Sequence, residues 1–209
     1  MERFQRTATN IIVALTALAW IVTALAGYSD PAAYALGFIP LRVTMPALAV
    51  PAAPAFLTPL TATLVHSGLI HLGFNLLILL WCGTQVERVL GATGLIVLYL
   101  IGAYAAAGAQ WAVNPHGTVP IVGASGAISA VMGAYALSFG RAKAFTNNLR
   151  INRWINVFWL LGAWIVLQLM MGWIGDQQGY LLATPAHVGG FAAGLLLQRP
   201  LLLWRYRKA

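Results

Sequence analysis

An all-α membrane protein with six transmembrane helices is predicted by three observations. The chain of 209 residues is 60% hydrophobic and 8% charged, whereas a soluble domain carries about 25% charged residues. Its mean hydropathy is +0.80. Its apolar residues fall into six runs, near 10–27, 68–86, 94–112, 122–140, 154–174 and 185–204, each close to the roughly 20 residues that a helix needs to cross a ~30 Å hydrocarbon core. At this length a single domain, 1–209, is expected.

The first run has a basic start but no small-residue cleavage site, and reads as a retained helix. The stretch 28–60 carries Pro31, Pro40, Pro46, Pro51, Pro54 and Pro59, too many prolines for a helix. It is nonetheless apolar, with Phe38, Ile39, Leu41, Met45, Leu48, Phe56 and Leu57. A first outer loop partly embedded in the membrane is therefore expected. The second run opens with His71 and Asn75, preceded by His66, and the fourth with Gly123-Ala124-Ser125-Gly126. The fifth run contains Gln168, for which an interhelical hydrogen bond is expected. The sixth opens with Ala186-His187-Val188-Gly189-Gly190. Cys82, the single cysteine, lies in an apolar run and reads as a small packing residue.

The net charge of +8 does not indicate nucleic acid as a partner, because the charges sit in short segments between apolar runs. With the N-terminus in the cytoplasm, the inner side receives Arg3, Arg6, Arg88, Arg141, Lys143, Arg150, Arg153, Arg199, Arg205, Arg207 and Lys208. Only Arg42 of the twelve basic residues is left outside. This distribution predicts that both termini are cytoplasmic. The compact core, and the lack of an organelle-targeting leader, point to a multi-pass protein of a bacterial cytoplasmic membrane.

In this topology, runs two, four and six all start at the outer face. His71, Asn75, Ser125 and His187 then share one depth, which their order in the chain does not require. Serine becomes a nucleophile when a neutral histidine takes its proton. Ser125, Ser129 and Gly133 form a small face on helix four, and His187, Gly190 and Gly194 share a face of helix six. Small faces let membrane helices approach closely. Gly126 and Gly190 are the expected points of nearest approach. His71 and Asn75, at i and i+4, can donate to an oxyanion, as can the Ser125 amide at a helix N-terminus. On a continuous helix His66 would point about 140° from His71, and is expected to cap or brace the entering loop.

The four acids, Glu2, Asp30, Glu87 and Asp176, lie near membrane edges or outside, so catalysis would rest on a Ser–His dyad. No glutamate follows a histidine as a zinc His-Glu-x-x-His site requires, and no two aspartates lie in membrane helices. Each residue alone has an ordinary reading. Serine among glycines and alanines is a common helix contact, whereas histidine or asparagine in a membrane helix can serve packing or an interhelical hydrogen bond as well as chemistry. Ser129 reads as packing with a bond to the preceding turn, and His116 as solvated in an outer turn. The tryptophans of 154–173 and Trp204 read mostly as interfacial anchors, and the pair Glu87-Arg88 as a cytoplasmic loop brace.

Three motifs resemble the rhomboid family of intramembrane serine proteases: His66-x4-His71-x3-Asn75, Gly123-Ala124-Ser125-Gly126 and Ala186-His187-x2-Gly190-x3-Gly194. Glu87-Arg88 with Gly91 is similar to the family's loop after helix two. The resemblance runs from about residue 28 nearly to the end. It implies a rhomboid-like bundle, the minimal six-helix core, with Ser125 as nucleophile and His187 as general base. His71, Asn75 and the Ser125 amide would be oxyanion donors. It further implies transmembrane protein substrates taken from the lipid bilayer, cleavage near the outer face, and no metal or organic cofactor. Helix five and the loop near 175–184 would be gate and cap, with Phe74 lining the lateral path. Some members carry a tyrosine four residues after the serine, stacked under the histidine. Here that position is Ser129, so other neighbours must orient His187. The rivals are a catalytically silent relative that binds membrane clients, and a small transporter, for which no internal repeat is found.

Overall fold

The computed structural model describes residues 7–45, 52–139, 145–175 and 183–207. It is all-helical: α1 Ala8–Leu25, α2 Ser29–Leu36, α3 Thr58–Thr61, α4 Leu69–Ile78, α5 Thr84–Val113, α6 Ser125–Phe139, α7 Leu149–Gly175 and α8 Thr184–Arg205. Among the described residues, Ala8–Leu25, Leu69–Val113 and Leu149–Met170 are long and apolar enough to cross a membrane, and Ser125–Phe139 is a shorter apolar helix. This is an integral membrane protein. Glu2, Arg3, Arg6, Pro46, Leu48, Pro51, Arg141, Lys143, Asp176, Lys208 and most of the expected cap loop lie outside the described residues.

The second and third runs are two helices that meet at Gly91, where the backbone leaves helical geometry. A π turn at Leu79–Gly83 joins α4 to α5, and the bend at Gly91 has φ +76° and ψ 167°. That φ belongs to the region where a side chain is strained and glycine is not. Arg205 closes the bend, donating from Nη1 to the Arg88 carbonyl at 2.6 Å. The Glu87 side chain reaches beyond its own loop. Its carboxylate crosses to the start of α1 and accepts the Ala8 and Thr9 amides at 2.7 and 2.9 Å and the Thr9 hydroxyl at 2.6 Å. A carboxylate on the first amides of a helix satisfies donors that lack intrahelical partners and complements the dipole. Glu87→Ala is therefore expected to destabilise the protein by about 1.5–3 kcal/mol, the worth of hydrogen bonds to a charged group, read as a lowered midpoint of thermal unfolding in detergent.

The proline-rich segment corrects the expectation that it would hold no helix. Pro31 lies in the first turn of α2, Pro40 opens a 3₁₀ turn at Pro40–Val43, and Pro59 lies at the start of α3. A first turn has no use for the missing N–H, so proline is tolerated there. The segment is sewn to the body by Phe38, which exchanges two backbone bonds with Ile121 at 2.9 and 2.8 Å. The Thr61 hydroxyl also donates to the Leu36 carbonyl at 2.6 Å. Phe38 and Ile39 are buried, while Met45, Phe56 and Leu57 remain exposed. The segment thus adds to the core and presents an apolar outer rim.

Helix α6 is the core element. Its residues from Ala127 to Ala134 are all buried, whereas α1 and α7 leave Leu15, Leu18, Val22, Phe158, Trp159 and Val166 exposed. A helix buried all round needs no amphipathic stripe, and the outer helices present to lipid what a soluble protein would bury. Helix α7 begins five residues before its expected start, because Asn148 accepts the Arg150 and Ile151 amides at 2.9 and 3.3 Å as an N-cap.

Candidate active site

Close approach of α6 and α8 is set by glycines. A Cβ on Gly190 would strike the Gly126 carbonyl, and one on Gly194 the Ala130 carbonyl. Gly133 in turn faces the Phe191 carbonyl. The expected contact of Gly126 with Gly190 is thus one step of a longer seam. At its upper end Ser125 Oγ lies 2.8 Å from His187 Nε2, with the two residues 7% and 4% exposed.

Ser125 is the first residue of α6. The first helical amide bond there is Ile128 to Ala124, so the amides of Ser125, Gly126 and Ala127 precede the ladder and are available to an anion. The loop before them is pinned: the Gly123 amide donates to the Ala62 carbonyl at 2.9 Å, and the Ala124 amide to His66 Nε2 at 3.4 Å. His66 thereby braces the loop and packs its ring against His71, centroids 5.0 Å apart. Gly123 has φ +111°, and a Cβ there would lie 2.7 Å from His71 Cε1 and Nε2. Conformation and space both demand glycine, and the imidazole edge of His71 lies directly over the loop that carries the serine.

His71 Nδ1 is 3.0 Å from the Ser67 hydroxyl. When Ser67 donates, the ring proton sits on Nε2, the nitrogen beside Gly123. Asn75, 3% exposed, donates from Nδ2 to the His71 carbonyl at 2.8 Å, and its Oδ1 has no partner among the described residues. One amide hydrogen of Asn75 is thus committed, and the second makes no bond among the described residues. The structure places Ser125 against His187 and the half-buried His71 over the loop that carries Ser125, with the buried Asn75 one turn further along α4.

Ser129, in place of a tyrosine, donates to the Ser125 carbonyl at 2.7 Å and accepts from Trp164 Nε1 at 2.8 Å. Trp164 corrects the reading of the fifth run's tryptophans as interfacial anchors. It is buried, with its ring edge-on to His187 at 6.3 Å. One turn on, Gln168 Nε2 lies 3.2 Å from His187 Nε2. His187 Nδ1 is buried without a partner among the described residues. The orienting neighbours of His187 come from α7. Their signal in the sequence was a glutamine in an otherwise apolar membrane helix with a tryptophan four residues before it.

Between α4 and α7 lies an apolar cleft of about 650 Å³, lined by Phe74, Phe158, Trp159, Gly162, Ala163, Val166, Leu167 and Met170. Phe74 is the lining residue contributed by α4 and immediately precedes Asn75. Among the described residues no group of three or more His, Cys, Asp or Glu side chains is placed to hold a metal ion.

A family model described as the rhomboid domain matches residues 54–204. The chain is 34% identical over 133 residues to rhomboid protease GlpG of Serratia proteamaculans, an alignment covering 64% of this chain and 44% of that protein. Identity to rhomboid protease GluP of Bacillus subtilis is 30% over 142 residues, 68% of this chain and 26% of that protein. GlpG of Yersinia pestis is 32% identical over 133 residues, again 64% and 44%. The chain thus spans less than half the length of these relatives. The matched region runs from α3 through α8 and contains the whole cluster around Ser125; on that match the chain belongs to the rhomboid family.

Proposed function

We propose that this protein is an intramembrane serine endopeptidase that cuts transmembrane segments of other membrane proteins near the outer face. The observation that carries the reading is the 2.8 Å contact between the buried Ser125 Oγ and His187 Nε2. A hydroxyl at that distance can pass its proton to a neutral imidazole as it attacks a carbonyl carbon. The developing oxyanion is met by the Ser125 amide, the second amide hydrogen of Asn75 and His71 Nε2–H. His187 then returns the proton to the leaving amine, and water hydrolyses the acyl-enzyme by the same route in reverse. No step calls on a metal or organic cofactor.

Substrate access fits the cleft between α4 and α7. A helix hides its carbonyls in hydrogen bonds, so the scissile region must unwind as it passes Phe74 toward Ser125. The outer face follows from the positive-inside topology, with both termini cytoplasmic in a bacterial inner membrane.

The test is a fluorophosphonate probe on the detergent-purified protein, with the modified residue mapped, followed by cleavage of a single-span substrate in proteoliposomes. Labelling at Ser125, together with cleavage, supports the proposal. A folded protein that takes no label and cuts nothing would move the reading to a silent client-binding relative. Phe74→Ala is expected to raise kcat/KM for a membrane-spanning substrate by roughly twofold to fivefold, because gating steps often set turnover. The labelling rate with the small probe should stay unchanged, which separates access from chemistry.

A further inference from the structure

We infer that Gln168 is a positioning residue that selects the tautomer of His187 able to act as a base. The inference rests on the proposed Ser–His chemistry and deepens it. A base needs an unprotonated Nε2 facing Ser125, with the ring proton on Nδ1. Serine hydrolases commonly secure that tautomer with an acceptor on Nδ1, most often a carboxylate. Here Nδ1 is buried, and no described residue accepts a proton from it.

The selection comes instead from the other nitrogen. Gln168 Nε2 stands 3.2 Å from His187 Nε2, and an amide nitrogen can only donate. With its amide nitrogen toward the ring, Gln168 donates to the Nε2 lone pair that the Ser125 hydroxyl also faces, and this places the ring proton on Nδ1. Without that donor the ring can put its proton on Nε2 and donate to Ser125 Oγ, leaving Nδ1 as a bare buried acceptor. Such a histidine cannot take the serine proton. Ser125 alone cannot settle the choice, because its hydroxyl can donate or accept.

Gln168 is 6% exposed and Trp164, one turn earlier on α7, is 3% exposed, so the amide is held in a packed site. The Trp164 indole donates to Ser129 at 2.8 Å, and Ser129 donates to the Ser125 carbonyl at 2.7 Å. This chain of bonds ties α7 to the first turn of α6 and sets the distance from which Gln168 reaches His187. The base is thereby oriented from one wall of the cleft that a substrate would pass. Withdrawal of α7 would carry the tautomer-selecting group with it.

The test uses the full chain, with ¹⁵N-labelled histidine, in detergent. Protonated and bare imidazole nitrogens give separate ¹⁵N resonances, and His187 is assigned by its loss in His187→Ala. The expected wild-type result is a proton on Nδ1. Gln168→Leu should give a mixture of tautomers. Gln168→Glu keeps the size but offers an acceptor, and should move the proton to Nε2. Fluorophosphonate labelling of Ser125 should fall in proportion to the competent fraction, by about twofold to tenfold in Gln168→Leu and by about tenfold to a hundredfold in Gln168→Glu. Gln168→Asn, which retains the donor on a shorter arm, should recover part of the rate.

A wild-type His187 protonated on Nε2 overturns the inference without recourse to any variant. So does a Gln168→Leu protein with unchanged resonances and labelling. A wild type with the expected tautomer but no labelling would instead defeat the protease reading and leave the role of Gln168 standing.

Discussion

Ser125→Ala and His187→Ala are each expected to lower cleavage by about 10⁴- to 10⁶-fold, and the double variant to lose no more than either alone. The non-additivity follows from the 2.8 Å contact. An unassisted hydroxyl is a weak nucleophile, and a histidine with no hydroxyl to deprotonate does nothing, so the second deletion removes a function already lost. Folding should survive Ser125→Ala, because the change removes one atom and His187 Nε2 keeps the Gln168 donor at 3.2 Å. Its unfolding midpoint should differ from wild type by less than about 1 kcal/mol of stability. Turnover measured in proteoliposomes for the four proteins decides the matter. A Ser125→Ala protein that still cleaves would require another nucleophile, and a double variant much worse than both singles would require the two residues to act separately.

The pairing of Ser125 with His187 could be read in the chain because it depends on two periodic faces. Glycine and serine at i+4 spacing on α6, and glycines at i+3 and i+7 from His187, admit one docking that brings both polar residues to the same level. His71 and Asn75 were equally accessible as i, i+4 neighbours on one helix, and His66 as the residue bracing the loop before it. The support of His187 was not, since it depends on the rotation of α7 about its axis. Gln168 stands out as polar in an apolar helix, but only packing decides which polar group it meets. Trp164 shows the limit most clearly. A tryptophan in a membrane helix serves a water interface or a buried hydrogen bond with the same composition around it, and its partner Ser129 lies 35 residues away in the chain.

Glu87 shows a related limit. Next to Arg88 it reads as a loop brace, yet the groups its carboxylate holds are amides 78 and 79 residues away. The short helix α2 was missed because prolines were counted without regard to position. Pro31 falls in the first turn, where it costs no hydrogen bond. Long-range polar contacts and local proline geometry thus account for most of what composition and periodicity did not reveal.

Gly190→Ala is expected to be the most damaging small substitution outside the dyad. The added Cβ would press on the Gly126 carbonyl, a backbone atom in the first turn of α6 that cannot turn aside as a side chain would. The helices must separate, with an overpacking cost of about 1–3 kcal/mol. The functional loss should exceed what that destabilisation implies, because Ser125 and His187 sit at the end of the same seam. A displacement near 1 Å at a reacting pair costs about 10²-fold in rate, so labelling of Ser125 should fall by that order in protein that is still folded at the assay temperature. Gly108→Ala is the control: a Cβ there meets nothing within 4 Å, and alanine in the helix interior should be neutral or stabilising by about 0.5–1 kcal/mol. Equal thermal stability and labelling in the two alanine variants would show that α6 and α8 tolerate a wider spacing. A large loss confined to Gly190→Ala would place the control of the dyad distance in the glycine seam.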